Sequence, residues 1–565
     1  MGDNINRNFD AIVIGSGMSG GWAAKEFAEK GFKTLILERG RDVKHLKDYP
    51  TMNMYPWEFE HRGQIPQEIK EANPIVSRCY AFREDAMHFF ARDTDHPYVQ
   101  EKPFDWIRAY QVGGRSLLWA RQTQRWSDFD FEGPARDGFA VDWPIRYKDI
   151  APWYSYVEKF VGISGNKDGI DTLPDGEFLP PLELDCVETH FKDFVTKNYS
   201  DRHVVYARCA HLTEPQPIHL AQGRAKCQGR TLCQRGCPFG GYYSSVSSTI
   251  PWALKTGNAV LRPFSVAHSI IYDENKGRAT GVRVVDTNTK EMIEYYAKVI
   301  FVNAGSLNSN LVLLNSTSHR FPNGLGNDSG VLGKYVAFHN YRARVSATFE
   351  GFLDSHSIGR SPTAAYMPRF RNVYKQQTDF LRGYASVFGS GRGVDHDTNT
   401  FGEQLKTNLA SKELGVWGVG NNFMGETIPK ETNTVSLDKE KKDQWGIPQL
   451  SINIQYDDND EKMIQDFYVQ VSEMYDRIGF KNIKTSDNKM APGLDIHEMG
   501  GVRMGKDPKT SVLNKWSQMH ACNNVFVTDG ACMTSTSTQN PSLTYMAMTA
   551  RAANYAIDEM KKGNI

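Results

Sequence analysis

Apolar and polar positions are most clearly patterned at the two ends of the chain. Phe9 to Ile14 is an apolar run of strand length, and it breaks at Gly15, Gly17 and Gly20. An Ala-rich stretch of helical character follows, then a second apolar run from Thr34 to Leu37 that ends at Glu38. Near the other end, Val525 to Val527 reads as a strand and Asp529-Gly530 as its exit turn. Asn540-Pro541 then predicts a helix start, with Asn at the cap and Pro at the first helical position. Leu543, Met546, Ala547 and Ala550 give that helix one apolar face. The middle of the chain is less regular and rich in aromatics, as in "YPWEFEHRG" from Tyr55 and "DWPIRYKDIAPWYSY" from Asp142. It holds no internal repeat, low-complexity tract or long linker.

Bulk properties narrow the class. With 565 residues the chain can bury a large core and form two or more lobes. Lys+Arg and Asp+Glu are both 66, and this zero balance argues against a protein built to grip phosphate backbones. No apolar run is long enough to span a bilayer. The first eight residues are polar and a strand follows at once, which leaves no room for a secretory leader on this chain. The expected compartment is the cytoplasm, or the periplasm if a partner carries the export signal.

The N-terminal pattern has a chemical meaning. Strand, G-x-G-x-x-G, helix, strand and terminal acid together form a dinucleotide-binding unit. The first glycine makes the tight turn, the second lets a pyrophosphate approach the backbone, and the third lets helix and strand pack. The helix N-terminus then offers free N–H groups to the phosphates. Gly15, Ser16, Gly17, Met18, Ser19 and Gly20 are the candidate cradle, with Glu38 placed for a ribose hydroxyl and Arg39 beside it. The loop alone fits FAD or NAD.

Three of the eight cysteines, Cys227, Cys233 and Cys237, lie in "CQGRTLCQRGCPFGG" with the spacing C-x5-C-x3-C-P. A zinc site would need a fourth ligand, for which Cys209, His211 and His219 are candidates. Clustered cysteines with a proline after the last also fit an iron–sulfur site. The remaining cysteines are scattered, unlike a small disulfide scaffold.

Five motifs in order give the chain a wider resemblance: the dinucleotide loop, "GGRSLLWARQTQRW" (113–126), "NAGSLNSNLVLLNS" (303–316), "HEMGGVRMG" (497–505) and the terminal "NPSLT". The sequence resembles the glucose–methanol–choline (GMC) oxidoreductases, a family of FAD enzymes. Within it, "HEMGGVRMG" and "DGACMTSTSTQNPSLT" are most similar to bacterial sugar dehydrogenases, glucoside 3-dehydrogenase catalytic subunits in particular, and more distantly to pyranose oxidases. The resemblance implies an α/β, two-lobe flavoprotein. A Rossmann-like FAD-binding domain would take residues 1–44, 101–139, 226–335 and 491–565. A sheet-based substrate domain would take 45–100, 140–225 and 336–490.

The same resemblance assigns roles. Gly113, Gly114 and Ser116 would lie along the flavin, Val266 would meet the adenine through its backbone, and Ala304 and Gly305 would pass the pyrophosphate. Asp529 would sit by the phosphate–ribitol segment. Pyranose oxidases often carry a flavin-linking histidine just before the Trp of the "GG…W" loop; here that residue is Leu118, which implies non-covalent FAD. His497 would be the base that takes the proton of a sugar hydroxyl, a role suited to imidazole. Asn540 would orient the substrate oxygen, at a place where many relatives have a second histidine. The cysteines would hold a three-iron, four-sulfide cluster that passes electrons to a cytochrome c, and a small export or chaperone subunit would accompany the chain. The expected activity is oxidation of a secondary hydroxyl, C3 of a glucoside or disaccharide, with gluconate-, fructose- or sorbitol-type dehydrogenases, a pyranose oxidase or a non-enzymatic electron-transfer subunit as alternatives. "NMYPWEF" is either a lid segment or a structural loop.

Overall fold

The computed structural model describes residues 7–356, 364–394 and 399–565. Its first sheet begins as the sequence pattern predicts. Strand β1 (Asn8–Ile14) runs into helix α1 (Met18–Glu29) and then β2 (Thr34–Leu37), with β1 and β2 parallel. The turn between β1 and α1 requires glycine. Gly15 has φ +100°, and a Cβ on Gly20 would lie 1.9 Å from the Gly15 carbonyl oxygen. Only without that side chain can α1 start this close to the end of β1.

Further along come β3 (Ala259–Arg262), β4 (Ser265–Asp273), β5 (Arg278–Asp286), β6 (Met292–Val302) and helix α2 (Ser306–Leu314). The spatial order is β3-β2-β1-β6-β5-β4. Strand β6 is the hinge of the arrangement. One of its edges pairs with β1, while the other pairs first with β5 and then, after Tyr296, is left open.

The second sheet is antiparallel. It comprises β7 (His339–Asn340), β8 (Ala343–Phe349), β9 (Ala365–Met367), β10 (Tyr384–Gly391), β11 (Trp417–Glu426) and, after helix α3 (Asp458–Ile478), β12 (Lys481–Asp487). Helix α3 covers the back of this sheet. Met463, Ile464, Phe467, Val471, Met474 and Tyr475 form its buried stripe and pack with Tyr384, Phe388 and Phe423. The Asp457 side chain accepts the Asp460 N–H at its start. Buried arginines tie the sheet to the segment at 130–137. Arg369 meets Asp130 at 2.6 Å and Glu426 at 3.0 Å, and Arg382 meets Glu426 at 2.8 Å and Asp137 at 2.9 Å.

The C-terminal segment then returns to the first sheet. Strand β13 (Val525–Val527) fills the open part of β6, so Val302 has Ile14 on one side and Val527 on the other. Helix α4 (Ser542–Lys562) buries Leu543, Met546, Ala547 and Ala550 completely, and a large apolar side chain buried this way contributes about 1.5–3 kcal/mol. The helix starts one residue later than the sequence predicts, with Pro541 just outside it. Asn540 does not cap it: no side-chain cap bond forms, because the Asn540 amide is turned toward His497 instead. No helix among the described residues is long and apolar enough to cross a membrane.

Candidate active site

The parallel strands β1, β6 and β13 all leave the first sheet at one end, where open α/β sheets bind ligands. Their exit loops are cross-linked there. Asp529 accepts hydrogen bonds from the Gly305 N–H (2.8 Å), the Ser309 hydroxyl (2.6 Å) and the Ala531 N–H (2.9 Å). Glu38 accepts from the Ser16 hydroxyl at 2.6 Å and the Gly40 N–H at 3.0 Å. The Gly113 N–H donates to the Ser16 hydroxyl at 3.0 Å, which docks the "GGRS" turn onto the first loop. Burial raises the affinity of both Glu38 and Asp529 for a proton, against the donors that hold them as carboxylates.

A cavity of about 1280 Å³ opens over this end, larger than the usual drug-sized pocket. It is lined by Gly15, Ser16, Gly17, Met18, Ser19, Glu38, Arg39, Gly114, Ser116, Val266, Ala304, Gly305, Asp529, His497 and Asn540. Two of the sequence candidates stand behind its wall: Gly20 packs on the Gly15 carbonyl, and Gly113 supports Ser16. The cavity continues to the antiparallel sheet, where Tyr341, Arg344, Asn422, Ser486 and Lys489 border it. The start of α4 also faces it, through Asn540, Pro541, Ser542 and Tyr545, and brings the positive end of the helix dipole there.

At the junction of the two sheets stands an imidazole pair that sequence reasoning half missed. His497 Nδ1 lies 2.8 Å from His339 Nδ1, and the rings are perpendicular. His339 Nε2 lies 2.6 Å from the Ser537 carbonyl oxygen, and the Asn540 amide nitrogen lies 3.2 Å from His497 Nε2. Asp495 accepts the backbone N–H groups of His339 (3.0 Å) and His497 (3.1 Å), fixing both backbones on one carboxylate. Burial holds His339 down at about 4 and His497 well below the usual imidazole range, and it pushes Asp495 up to about 7, with Glu498 adding to the rise. His339, Asp495 and His497 lie within 4.8 Å of one another. A tetrahedral zinc ion with 2.0–2.1 Å bonds would nonetheless hold two ring nitrogens about 3.3 Å apart. The 2.8 Å separation is that of a hydrogen bond.

The cavity wall also carries unmet polar atoms. The Asn540 side-chain oxygen, the Tyr545 hydroxyl and the Arg39 Nε are buried without a partner. Arg39 lies 4.1 Å from the Tyr110 ring and 5.2 Å from the Trp445 ring, an aromatic slot. A glycine-lined turn, buried carboxylates and unmatched polar atoms around one long cavity fit a dinucleotide.

The thiols lie apart from this cavity. Cys233 Sγ is 3.8 Å from His211 Nε2, and Cys237 Sγ accepts the Gly241 N–H at 3.3 Å. Among the described residues the three sulfurs do not form a set within 4.8 Å, as one zinc ion would need. His219 is satisfied elsewhere, between the Gln216 N–H (2.9 Å) and the Lys159 carbonyl (3.0 Å), and Cys209 contacts Ser164. Of the fourth-ligand candidates only His211 stays beside the thiols, and the set lacks the compactness a single zinc ion needs. Around the thiols, Arg121, Arg224 and His211 are fully buried and hold unpartnered nitrogens: Arg121 Nε and Nη1, Arg224 Nη2 and His211 Nδ1. Arg121 also borders the cavity. Tyr55 and Trp57 of "NMYPWEF" stack on each other at the surface and do not line the cavity; the backbone beside them is held by Arg230 and Arg235 of the cysteine loop.

The models of the GMC oxidoreductase family match residues 140–339 with its N-terminal part and 429–549 with its C-terminal part. The chain belongs to the GMC oxidoreductase family. As a GMC oxidoreductase it is similar to the 2-methyl-1,2-propanediol dehydrogenase of Mycolicibacterium austroafricanum, at 28% identity over 97% of this chain and 94% of that one. The fructose dehydrogenase large subunit of Gluconobacter japonicus is 25% identical over 99% and 100%. Paromamine 6'-oxidase of Streptomyces fradiae is 23% identical over 97% and 91%. Among solved structures, a variant of Aspergillus oryzae formate oxidase matches with a TM-score of 0.60 at 14% identity, over 98% and 99% of the two chains, and so shares the fold. The α/β architecture with two sheet-based lobes stands, and the protein is a GMC oxidoreductase of CH–OH groups with FAD as its cofactor.

Proposed function

We propose that this GMC oxidoreductase is a sugar dehydrogenase that oxidises a secondary hydroxyl, C3 of a glucoside or disaccharide, to the ketone. One observation carries the reading: His497 Nε2 and the Asn540 amide meet at 3.2 Å on the wall of a cavity that joins the dinucleotide cradle to a polar sheet surface. When bound, FAD supplies the acceptor for the hydride that leaves the alcohol carbon. His497 receives the hydroxyl proton at Nε2, and Asn540 holds the substrate oxygen with its amide. Burial keeps His497 neutral and able to accept that proton at ordinary pH. Arg344, Asn422 and Ser486 offer hydrogen-bonding partners for a polyhydroxylated ring.

The cofactor contacts follow the cradle. Gly15 to Gly20, Glu38 and Arg39 take the ADP portion with Val266; Ala304, Gly305 and Asp529 take the middle; Gly113, Gly114, Ser116 and Asn540 take the flavin, held without a covalent link. The lobe boundaries stated from the sequence go with this assignment. Cys227, Cys233 and Cys237 would hold a three-iron cluster, for which three thiolates with a proline after the last are a suitable ligand set. The buried, unmatched cationic wall of Arg121 and Arg224 supports an anionic group there. When bound, the cluster would supply one-electron transfer toward a protein acceptor such as a cytochrome c, and a small partner subunit would provide export.

The test is anaerobic. Methyl glucosides, fructose, gluconate and 2-methyl-1,2-propanediol are added to the purified protein, flavin bleaching is followed, and the oxidised carbon is identified by NMR. A second reading, a dehydrogenase of small diols, is favoured by the 28% identity to the propanediol enzyme along nearly the full chain. Bleaching by the diol and not by any glucoside selects it. Iron and acid-labile sulfide analysis tests the cluster, and Cys233→Ser is expected to abolish its EPR signal while flavin reduction continues.

A further inference from the structure

We propose that His339 is a positioning residue that fixes the tautomer of His497, through the chain Ser537 carbonyl, His339, His497, Asn540. The inference rests on His497 as the base and names what makes its Nε2 the basic atom. A carbonyl oxygen only accepts hydrogen bonds. At 2.6 Å from the Ser537 carbonyl, His339 Nε2 must therefore carry a hydrogen. A neutral ring has one N–H, so His339 Nδ1 is bare. His497 Nδ1, 2.8 Å away, then donates to it and carries the only hydrogen of its own ring. His497 Nε2 is left with a lone pair, and the Asn540 N–H is the donor that faces it at 3.2 Å. The Asn540 oxygen has no partner, and the second N–H of the amide stays free for the substrate oxygen.

The relay requires a neutral His339. Full burial favours that state, and so does the nearby Arg369 guanidinium. The other charged groups around the pair are Asp495, whose oxygens accept backbone N–H groups, and Arg115, which is ion-paired at 2.8 Å with Glu498. None of them touches the imidazole nitrogens, so the order of hydrogens is set by the Ser537 carbonyl.

Three substitutions separate this role from simple packing. His339→Asn keeps an acceptor where Nδ1 stood, His339→Leu removes it, and His339→Gln keeps a donor toward Ser537 but no acceptor for His497. The measurement is stopped-flow flavin reduction in the holoenzyme across pH, using the glucoside or diol that bleaches the wild type. In the Leu and Gln variants the limiting rate is expected to fall about 10- to 100-fold, short of the 10²–10⁴ that a base itself contributes. The half-saturation concentration should stay within a few-fold, and the acid limb of the rate profile should move to lower pH because the imidazolium loses an acceptor. The Asn variant should keep the wild-type profile and most of the rate. Equal losses in Asn and Leu with flavin retained, or a Leu variant that behaves as wild type, overturn the proposal. If Leu does not retain flavin, Gln against Asn decides. Loss of reduction in His497→Ala beside unaltered His339 variants removes this inference alone, whereas full reduction in His497→Ala removes the base and the relay together.

Discussion

The two polar centres of this protein differ in how far their hydrogen bonds are already made. In the imidazole pair, both nitrogens of His339, both nitrogens of His497 and the Asp495 carboxylate have partners, and the Asn540 oxygen beside them is unmatched. Around the thiols the reverse holds. Arg121 and Arg224 are buried as deeply as Arg369 and Arg382, but the latter two each meet two carboxylates and the former meet none among the described residues. Burying a charge without a partner is expensive. The closed network suits the catalytic edge proposed above; the open one suits a wall that the proposed anionic group would complete.

The largest break in that comparison is His497→Ala. It is expected to keep FAD and to slow substrate-dependent bleaching by about 10²–10⁴, measured by anaerobic stopped flow, since a positioned base contributes that much. Bleaching within a few-fold of wild type would mean the closed network is structural. Next in size is Arg369→Met, which strands Asp130 and leaves Glu426 with Arg382 alone. Breaking a buried pair costs about 3–5 kcal/mol, read as a lower urea midpoint. Arg121→Met strands no carboxylate, so its cost to the fold should be about 1 kcal/mol or less. If the proposed cluster is held there, the effect should appear instead as a more negative midpoint potential, because a cation that favours the reduced form is gone. An equal loss of stability in the two variants would erase the contrast between paired and unpaired arginines.

Acid should act between these in size. Burial depresses His339 in the folded state, so the stability it contributes is fully present above the unfolded value near 6.5 and is lost as pH falls toward about 4. The single group accounts for about 3 kcal/mol. His45, His88 and His219 are lowered in the same way and steepen the loss, while Asp495, raised to about 7, opposes it by losing stability as pH rises. Thermal melts from pH 7 to pH 4 should show a falling Tm, and His339→Asn should flatten the curve.

What the sequence displayed follows from the range of the interactions. The β1–α1–β2 unit and β13 were legible because their apolar runs and glycines are local, and the structure gives β2 and β13 the predicted limits. His497 and Asn540 were legible because motifs carry them. His339 was not: it stands 158 positions from His497, and "FHNYR" has no pattern to mark it. The capping assignment failed for a related reason, since Asn540 had a distant imidazole to serve that local rules do not see. The unpaired state of Arg121 is a property of what surrounds it in space, and no spacing along the chain encodes it.

Strand β6 holds β1 against one edge and β13 against the other, so its last three residues belong to the beginning and the end of the chain at once. During synthesis the cradle around Gly15 therefore waits with a neighbour missing until residues 525–527 have left the ribosome. A protein wired this way should complete its cofactor cradle late, once residues 525–527 pair with the strand at 300–302.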